Sequence, residues 1–393
     1  MIGEFSMRNA QCPICRQATE AWLRLKFGKK IRLPMEIELR HCRRDNFLFV
    51  AGGCQSDYDE YYATVANDTY HQEVSAGAAR SPISKLQNDR LVAALDVFFA
   101  EPRKVLDFGC GEASLLVELA TNFPSSAFFG FEPGPAAQVG SSKGATLGLD
   151  NLSIAGLSES TECGPYDLVV VSHVMEHVLD FDLFSLLSSF LAKGGLLYVE
   201  VPNSLQYETC ERLEFLYYFD RLPVNHFTPQ SLARLAAGYG FGYVEHFEYA
   251  FPYRDGGEYP GLGMLFRKDC DAVDIGSPSI IDAANRYLKQ EQERAKIFSG
   301  QLDAFEGVLV WGAGDNFYRS AENGGPLSKL RKMVLLDRRP HEVTIGNRTY
   351  QTIDPQIGIR SHPWPVVITV SEGRKAVGQL VTEIDPGRRI LTL

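Results

Sequence analysis

Between residues 101 and 270 the chain alternates short apolar runs with longer amphipathic ones, and this alternation limits the fold more than any other feature of the sequence. "RKVLDF", "SAFFGFE", "NLSIAG", "YDLVVVS" and "GLLYVEVP" have the length and the β-branched and aromatic content of strands. "EASLLVELATNF", "FDLFSLLSSFLA" and "TPQSLARLAAGYG" read as helices. Strands that are apolar along their whole length need cover on both faces, so the pattern predicts an α/β fold: a mostly parallel sheet with helices on each side. "FGYVEHFEYAF" and "GLGMLFRK" follow one another with no helix between them and read as a closing antiparallel pair.

At 393 residues the chain exceeds one ordinary core, and its patterns divide it. Residues 1–60 have few long apolar runs, carry four cysteines and alternate "WLRLKF" and "MEIELR" as hairpin strands, so this small module needs a staple. Residues 61–100 form a helical lead-in, and the tyrosine-rich "YDEYYATVANDTYHQE" around its start is a candidate active-site lid. Residues 101–270 are the core, and 271–306 hold a charged amphipathic connecting helix. Residues 307–393 open a second glycine turn in "GVLVWGAGDNFYRS" and read as a C-terminal Rossmann-like α/β domain. The net charge of -10 argues against nucleic acid as a polymeric partner. No run approaches the roughly 18 apolar residues of a membrane span. "MIGEFSMRNAQ" lacks the apolar core of a signal peptide, so no membrane partner and a cytoplasmic location are expected.

The first glycine turn, "GCGEAS", has Ser114 where a dinucleotide fingerprint would place its third glycine. Asp107 at the strand end and Glu112 at the helix start would repel a pyrophosphate, which seeks bare N–H groups and an unopposed helix dipole. They suit a ligand with a cationic end, such as S-adenosylmethionine, and Gly109 and Gly111 let the backbone approach it. Glu132 in "FFGFEPG" ends the next strand, where a carboxylate can accept from both ribose hydroxyls.

With these residues in place, the region 101–270 resembles the class I S-adenosylmethionine-dependent methyltransferases. "VLDFGCGEASLL" is similar to that family's cofactor loop, "GFEPG" to its ribose acid, and "YDLVVVSHVMEHVLDF" to its fourth strand and following turn. The resemblance implies that Asp107, Gly109, Gly111, Glu132 and Pro133 line the cofactor site, with Ser172 and His173 near the methionine end. The family often has an acid after the third strand to hold the adenine amino group; here Leu157 stands there, with Ser158 as the substitute.

"CPIC" places Cys12 and Cys15 at the spacing that holds one metal from a tight turn, and Cys42 in "HCRRD" supplies a third ligand. Asp45, Cys54 and His41 are alternatives for the fourth, and structural zinc is expected over a redox pair because no βαβ context surrounds the motif. The order of cysteine module, methyltransferase core and C-terminal α/β unit resembles the zinc-containing sugar C-methyltransferases of nucleotide-linked deoxysugar pathways. That resemblance implies a nucleotide-sugar substrate, held in part by the C-terminal domain.

Methyl transfer to carbon beside a ketone, or to a hydroxyl, needs a base, and His226 in "LPVNHFTPQSL" is the favoured one, on the long connection expected to lie over the strand ends. The C-methyltransferases have a Glu-His pair in this region; here it is Asn225-His226, which keeps O-methylation of a sugar open as the alternative. His177 and Tyr70 are further catalytic candidates, with His71 beside Tyr70. Two other classes remain: an NAD(P)-dependent oxidoreductase using "WGAGDN" and Asp337, and a non-catalytic nucleotide-binding protein.

Overall fold

The computed structural model describes residues 11–28, 33–61, 89, 91–92, 103–134, 136–156, 164–210, 212–252, 258–330, 332–370 and 373–393. In chain order the elements begin with β1 (Glu20–Lys26), β2 (Glu36–Cys42), β3 (Phe47–Ala51) and α1 (Gln55–Tyr61). They continue with β4 (Lys104–Phe108), α2 (Ser114–Asn122), β5 (Ala127–Phe131), α3 (Ala136–Leu147), β6 (Leu152–Ala155), β7 (Tyr166–Ser172), α4 (Leu183–Phe190) and β8 (Leu191–Pro202). Then come β9 (Asn225–His226), α5 (Pro229–Ala237), β10 (Phe241–Pro252), β11 (Glu258–Lys268) and α6 (Ile280–Leu302). The last are β12 (Val308–Trp311), α7 (Asp315–Glu322), β13 (Met333–Leu336), β14 (Glu342–Ile345), β15 (Arg348–Gln351), α8 (Pro355–Ser361), β16 (Val366–Ile368), α9 (Arg374–Ile384) and β17 (Ile390–Thr392).

The chain divides into two compact units. The first comprises residues 1–21, 40–206 and 222–281; the second comprises 22–39, 207–221 and 282–393. In the first, a seven-stranded sheet runs β10-β11-β8-β7-β4-β5-β6. β4 to β8 are parallel, and β11 runs antiparallel to both β8 and β10, the closing pair that the sequence predicts. Its parallel strands are largely apolar because both faces are covered. Leu106, Val169, Val171, Leu197 and Val199 pack on one side, and Val105, Leu168, Val170, Leu196 and Tyr198 on the other. Helix α5 starts at a capping box in which Thr228 and Ser231 satisfy each other's backbone N–H, with Pro229 at the first helical position. β3 pairs with β9 in the same unit, Leu48 opposite His226 and Phe49 opposite Asn225.

The second unit holds a four-stranded parallel sheet in the order β13-β12-β16-β17 and a separate hairpin, β14–β15. It also carries buried arginines in ion pairs: Arg221 with Asp315 and Arg319 with Asp220, whose carboxylates are partly exposed, and Arg374 with the buried Glu214 at 3.1 Å. Among the described residues no helix is long and apolar enough to cross a membrane.

Candidate functional site

Strand β4, between β7 and β5, delivers Asp107 near its carboxyl end, and the chain then turns through Gly109 (φ 84) and Gly111 (φ 52). The N–H groups of Gly109 and Cys110 donate to the carbonyl of Phe131 at 2.8 and 3.0 Å, which ties the turn to the end of β5. A Cβ on Gly109 would meet Cγ2 of Val174 at 2.6 Å, so the loop after β7 demands glycine there. Around Gly111 the space is open, which leaves its backbone accessible. Glu132 accepts from Gly111 N–H at 3.1 Å through one carboxylate oxygen and from Gly134 N–H at 2.8 Å through the other. A carboxylate has about four acceptor positions, so capacity for a diol remains.

Asp107 is buried, and burial, together with the charges of Glu132 and Glu200, pushes its carboxyl up to about 7. Glu112 forms an ion pair with Lys143 of α3 and is neutralised within the protein. The carboxylates that act on Asp107 are therefore Glu132 and Glu200, the latter paired with His173, a correction to the sequence pairing of Asp107 with Glu112. Pro133 is exposed beside Glu132, whereas Tyr70, His71, Leu157 and Ser158 lie outside the described residues.

Ser172 ends β7, half-buried, and His173 follows in a left-handed backbone conformation (φ 54). The register places Ser172 beside Glu200, Asp107 beside Val170, and Val170 beside Tyr198. Asp107, Ser172 and Glu200 therefore share one face of the sheet. His173 Nδ1 lies 2.9 Å from Glu176 and Nε2 lies 3.0 Å from Glu200. Burial lowers the imidazole's pKa, but its hydrogen bonds to the two carboxylates outweigh that and push it up to about 10. Tyr198 donates its hydroxyl to Glu200 at 3.0 Å. Glu200, absent from the sequence reading, had a signal in plain view: a lone carboxylate in "LLYVEVP" must find a partner when both faces are buried.

His177 is partly exposed, with Nε2 3.8 Å from Glu176. Burial lowers its pKa; Glu176 opposes the shift and His173 adds to it. Asn225 supports this turn rather than facing a ligand: its amide donates to the carbonyls of Met175 and Val178 at 2.9 and 2.6 Å. His226 does not stand open over the strand ends as expected. It is 0% exposed in β9, and burial pushes its pKa down to about 3.

The Sγ atoms of Cys12, Cys15 and Cys42 and a carboxylate oxygen of Asp45 lie within 4.8 Å of one another. Asp45 Oδ2 is 3.1 Å from Cys12 Sγ and 3.3 Å from Cys42 Sγ, and the Cys15 and Cys42 sulfurs are 3.6 Å apart. Three thiols and one carboxylate are a donor set suited to tetrahedral zinc. Cys54 is not part of the cluster; it is exposed, 3.0 Å from Ser56 Oγ. His41 is buried outside the cluster.

In the second unit Gly312 takes φ 109, and a Cβ there would stand 2.6 Å from Val370. Asp337, the ribose acid of the oxidoreductase alternative, accepts the N–H of Arg339 at 2.9 Å and caps its own turn.

A family model described as a methyltransferase domain matches residues 83–246. No curated protein matches the sequence. Among solved structures, the chain is similar to magnesium protoporphyrin IX methyltransferase from Synechocystis PCC 6803 with bound SAH (TM-score 0.41, 15% identity), covering 55% of this chain and 99% of that one. It is also similar to a putative sarcosine dimethylglycine methyltransferase from Galdieria sulphuraria (TM-score 0.39, 17% identity), covering 52% and 99%. A third is the N-methyltransferase NodS from Bradyrhizobium japonicum WM9 in complex with S-adenosyl-L-homocysteine (TM-score 0.36, 15% identity), covering 48% and 89%.

Proposed function

We propose that this protein, an enzyme by virtue of the methyltransferase domain it carries at residues 83–246, moves a methyl group from S-adenosylmethionine to a nucleotide-linked sugar. The observation that carries the reading is the turn after β4, which sets the open backbone at Gly111 beside the carboxylates of Asp107 and Glu132 and so suits a cation rather than a pyrophosphate. Glu132 would hold the ribose, with Pro133 beside it, and Asp107 and Ser172 would border the methionine end. The cofactor supplies an electrophilic methyl on a sulfonium. The chain must align an acceptor within about 3 to 3.5 Å of it and remove a proton.

C-methylation of a keto-deoxysugar is favoured, with O-methylation as the alternative. The burial of His226 favours His177 as the base, since His177 is partly exposed and its pKa is shifted down toward the neutral form. Cys12, Cys15, Cys42 and Asp45 would hold a structural zinc, which stiffens a small module with little core of its own.

Native mass spectrometry of the full chain with added S-adenosylmethionine and a panel of nucleotide sugars tests this reading. One zinc, one S-adenosylmethionine or its demethylated product, and one nucleotide sugar per chain are expected. A bound nicotinamide dinucleotide with no response to S-adenosylmethionine would overturn it.

A further inference from the structure

The cofactor turn occupies β4 and β5. On the other side of β4, along the sheet through β7, β8, β11 and β10, the first unit carries a second polar constellation. Its centre is His173, whose two ring nitrogens face carboxylates at 2.9 and 3.0 Å. The two carboxylates hold the ring in its protonated form, an imidazolium that donates from both nitrogens. Two carboxylates and one imidazolium leave one negative charge. Glu176 is 2% exposed, and its Oε2 has no hydrogen-bond partner among the described residues. A buried carboxylate oxygen left so costs free energy unless a donor reaches it, and the left-handed φ of His173 stores further strain at the same place. Tyr259 presents its ring to His173 at 5.9 Å and is backed by Phe251 at 5.2 Å.

We propose that Glu176, His173 and Glu200 form the acceptor's seat: Glu176 Oε2 takes a hydrogen bond from a hydroxyl or ammonium group of the acceptor, while Tyr259 covers the apolar face of its ring. His173 and Glu200 are positioning residues that fix Glu176 and set the charge. The net negative charge selects donors and rejects carboxylate or phosphate at this point, so the part of the sugar seated here is hydroxylated or aminated. A nucleotide diphosphate, if present, points away from it. The inference deepens the methyltransferase reading above and rests on it.

The test uses the full chain, with histidine side chains labelled for nuclear magnetic resonance and S-adenosylhomocysteine present. At about pH 8 ordinary histidines are neutral, so the doubly protonated His173 ring is recognised by its protonation state. Glucosamine, which carries both hydroxyl and ammonium donors, is titrated against glucuronate, which carries a carboxylate. Glucosamine should shift the His173 ring signals saturably, with an affinity about tenfold weaker in Glu176→Gln, and glucuronate should not. No response to glucosamine, an equal response in Glu176→Gln, or a stronger response to glucuronate would overturn the seat. If Glu176→Gln does not fold, Tyr259→Leu takes its place, with the same loss expected. Calorimetric binding of S-adenosylmethionine to the wild-type chain, measured separately, distinguishes failure of the seat from failure of the methyltransferase reading.

Discussion

Asn225 donates its side-chain amide to the carbonyl oxygen of Met175 at 2.9 Å, and the same nitrogen reaches Val178 at 2.6 Å. The turn that carries Glu176 and His177 is thus pinned from β9, and Val224 N–H adds a bond to the Glu176 carbonyl at 2.8 Å. Asn225→Ala removes the donor from two carbonyls, at a cost of about 1 to 3 kcal/mol. Denaturant unfolding should register that loss. Turnover should fall while S-adenosylmethionine affinity stays near wild type, because the cofactor turn is held separately by Phe131 and Glu132. Asn225→Asp should be at least as damaging as the alanine variant, since an ionised aspartate cannot donate and repels the two carbonyl oxygens; wild-type turnover in both would remove the positioning role.

Cofactor affinity should depend on pH through Asp107. Its carboxyl sits near 7 in the structure because burial, Glu132 and Glu200 disfavour the charged form. A cationic ligand favours the charged form, so affinity should be level above pH 7 and weaken below it, by up to about tenfold per pH unit. Calorimetry across this range should show the slope in the wild type and its loss in Asp107→Asn.

The two histidine variants should separate. His177→Ala should lower kcat about a hundredfold or more with cofactor binding spared. The depressed pKa of His177 also places the acid limb of kcat/KM below the ordinary histidine value of about 6.5. His226→Ala leaves a hole beside β3 and should cost about 1 to 3 kcal/mol of stability. Full stability together with abolished turnover in His226→Ala would return the base role to that residue.

Metal content divides the cysteines. Elemental analysis should find one zinc per chain, retained in Cys54→Ser and lost in Cys42→Ser and Asp45→Ala. Chelation should lower the melting temperature of the wild type but not of Cys42→Ser. A chain purified without zinc whose melting temperature does not respond to added zinc would rule the site out.

The parallel strands of the central sheet were legible because each is a largely apolar run whose neighbours in sequence are its cover in space. The helix α3 was not: "AAQVGSSKGATL" is rich in glycine and serine. Yet Gly140, where a Cβ would stand 2.5 Å from Ile154, is what lets α3 lie close to β6. The short pair β3–β9 escaped for another reason, since its partners lie far apart in the chain and no local pattern records the pairing. Three members of the cysteine cluster could be read from the sequence, and the fourth needed coordinates because Asp45, Cys54 and His41 differ only in which way the chain turns. The burial of His226 was hidden in the same way: sequence gives the residue type, while the enclosure by β3 comes from long-range packing.

The most direct measurement is calorimetric titration of S-adenosylmethionine into the wild-type chain, Asp107→Ala and Glu132→Ala. The wild type should bind one molecule saturably, and each variant should bind it well over tenfold more weakly, since each loses a charged contact in a site of low dielectric. Absence of binding to the wild type, or unchanged affinity in both variants, would contradict the assignment of the Gly109–Gly111 turn as the cofactor site.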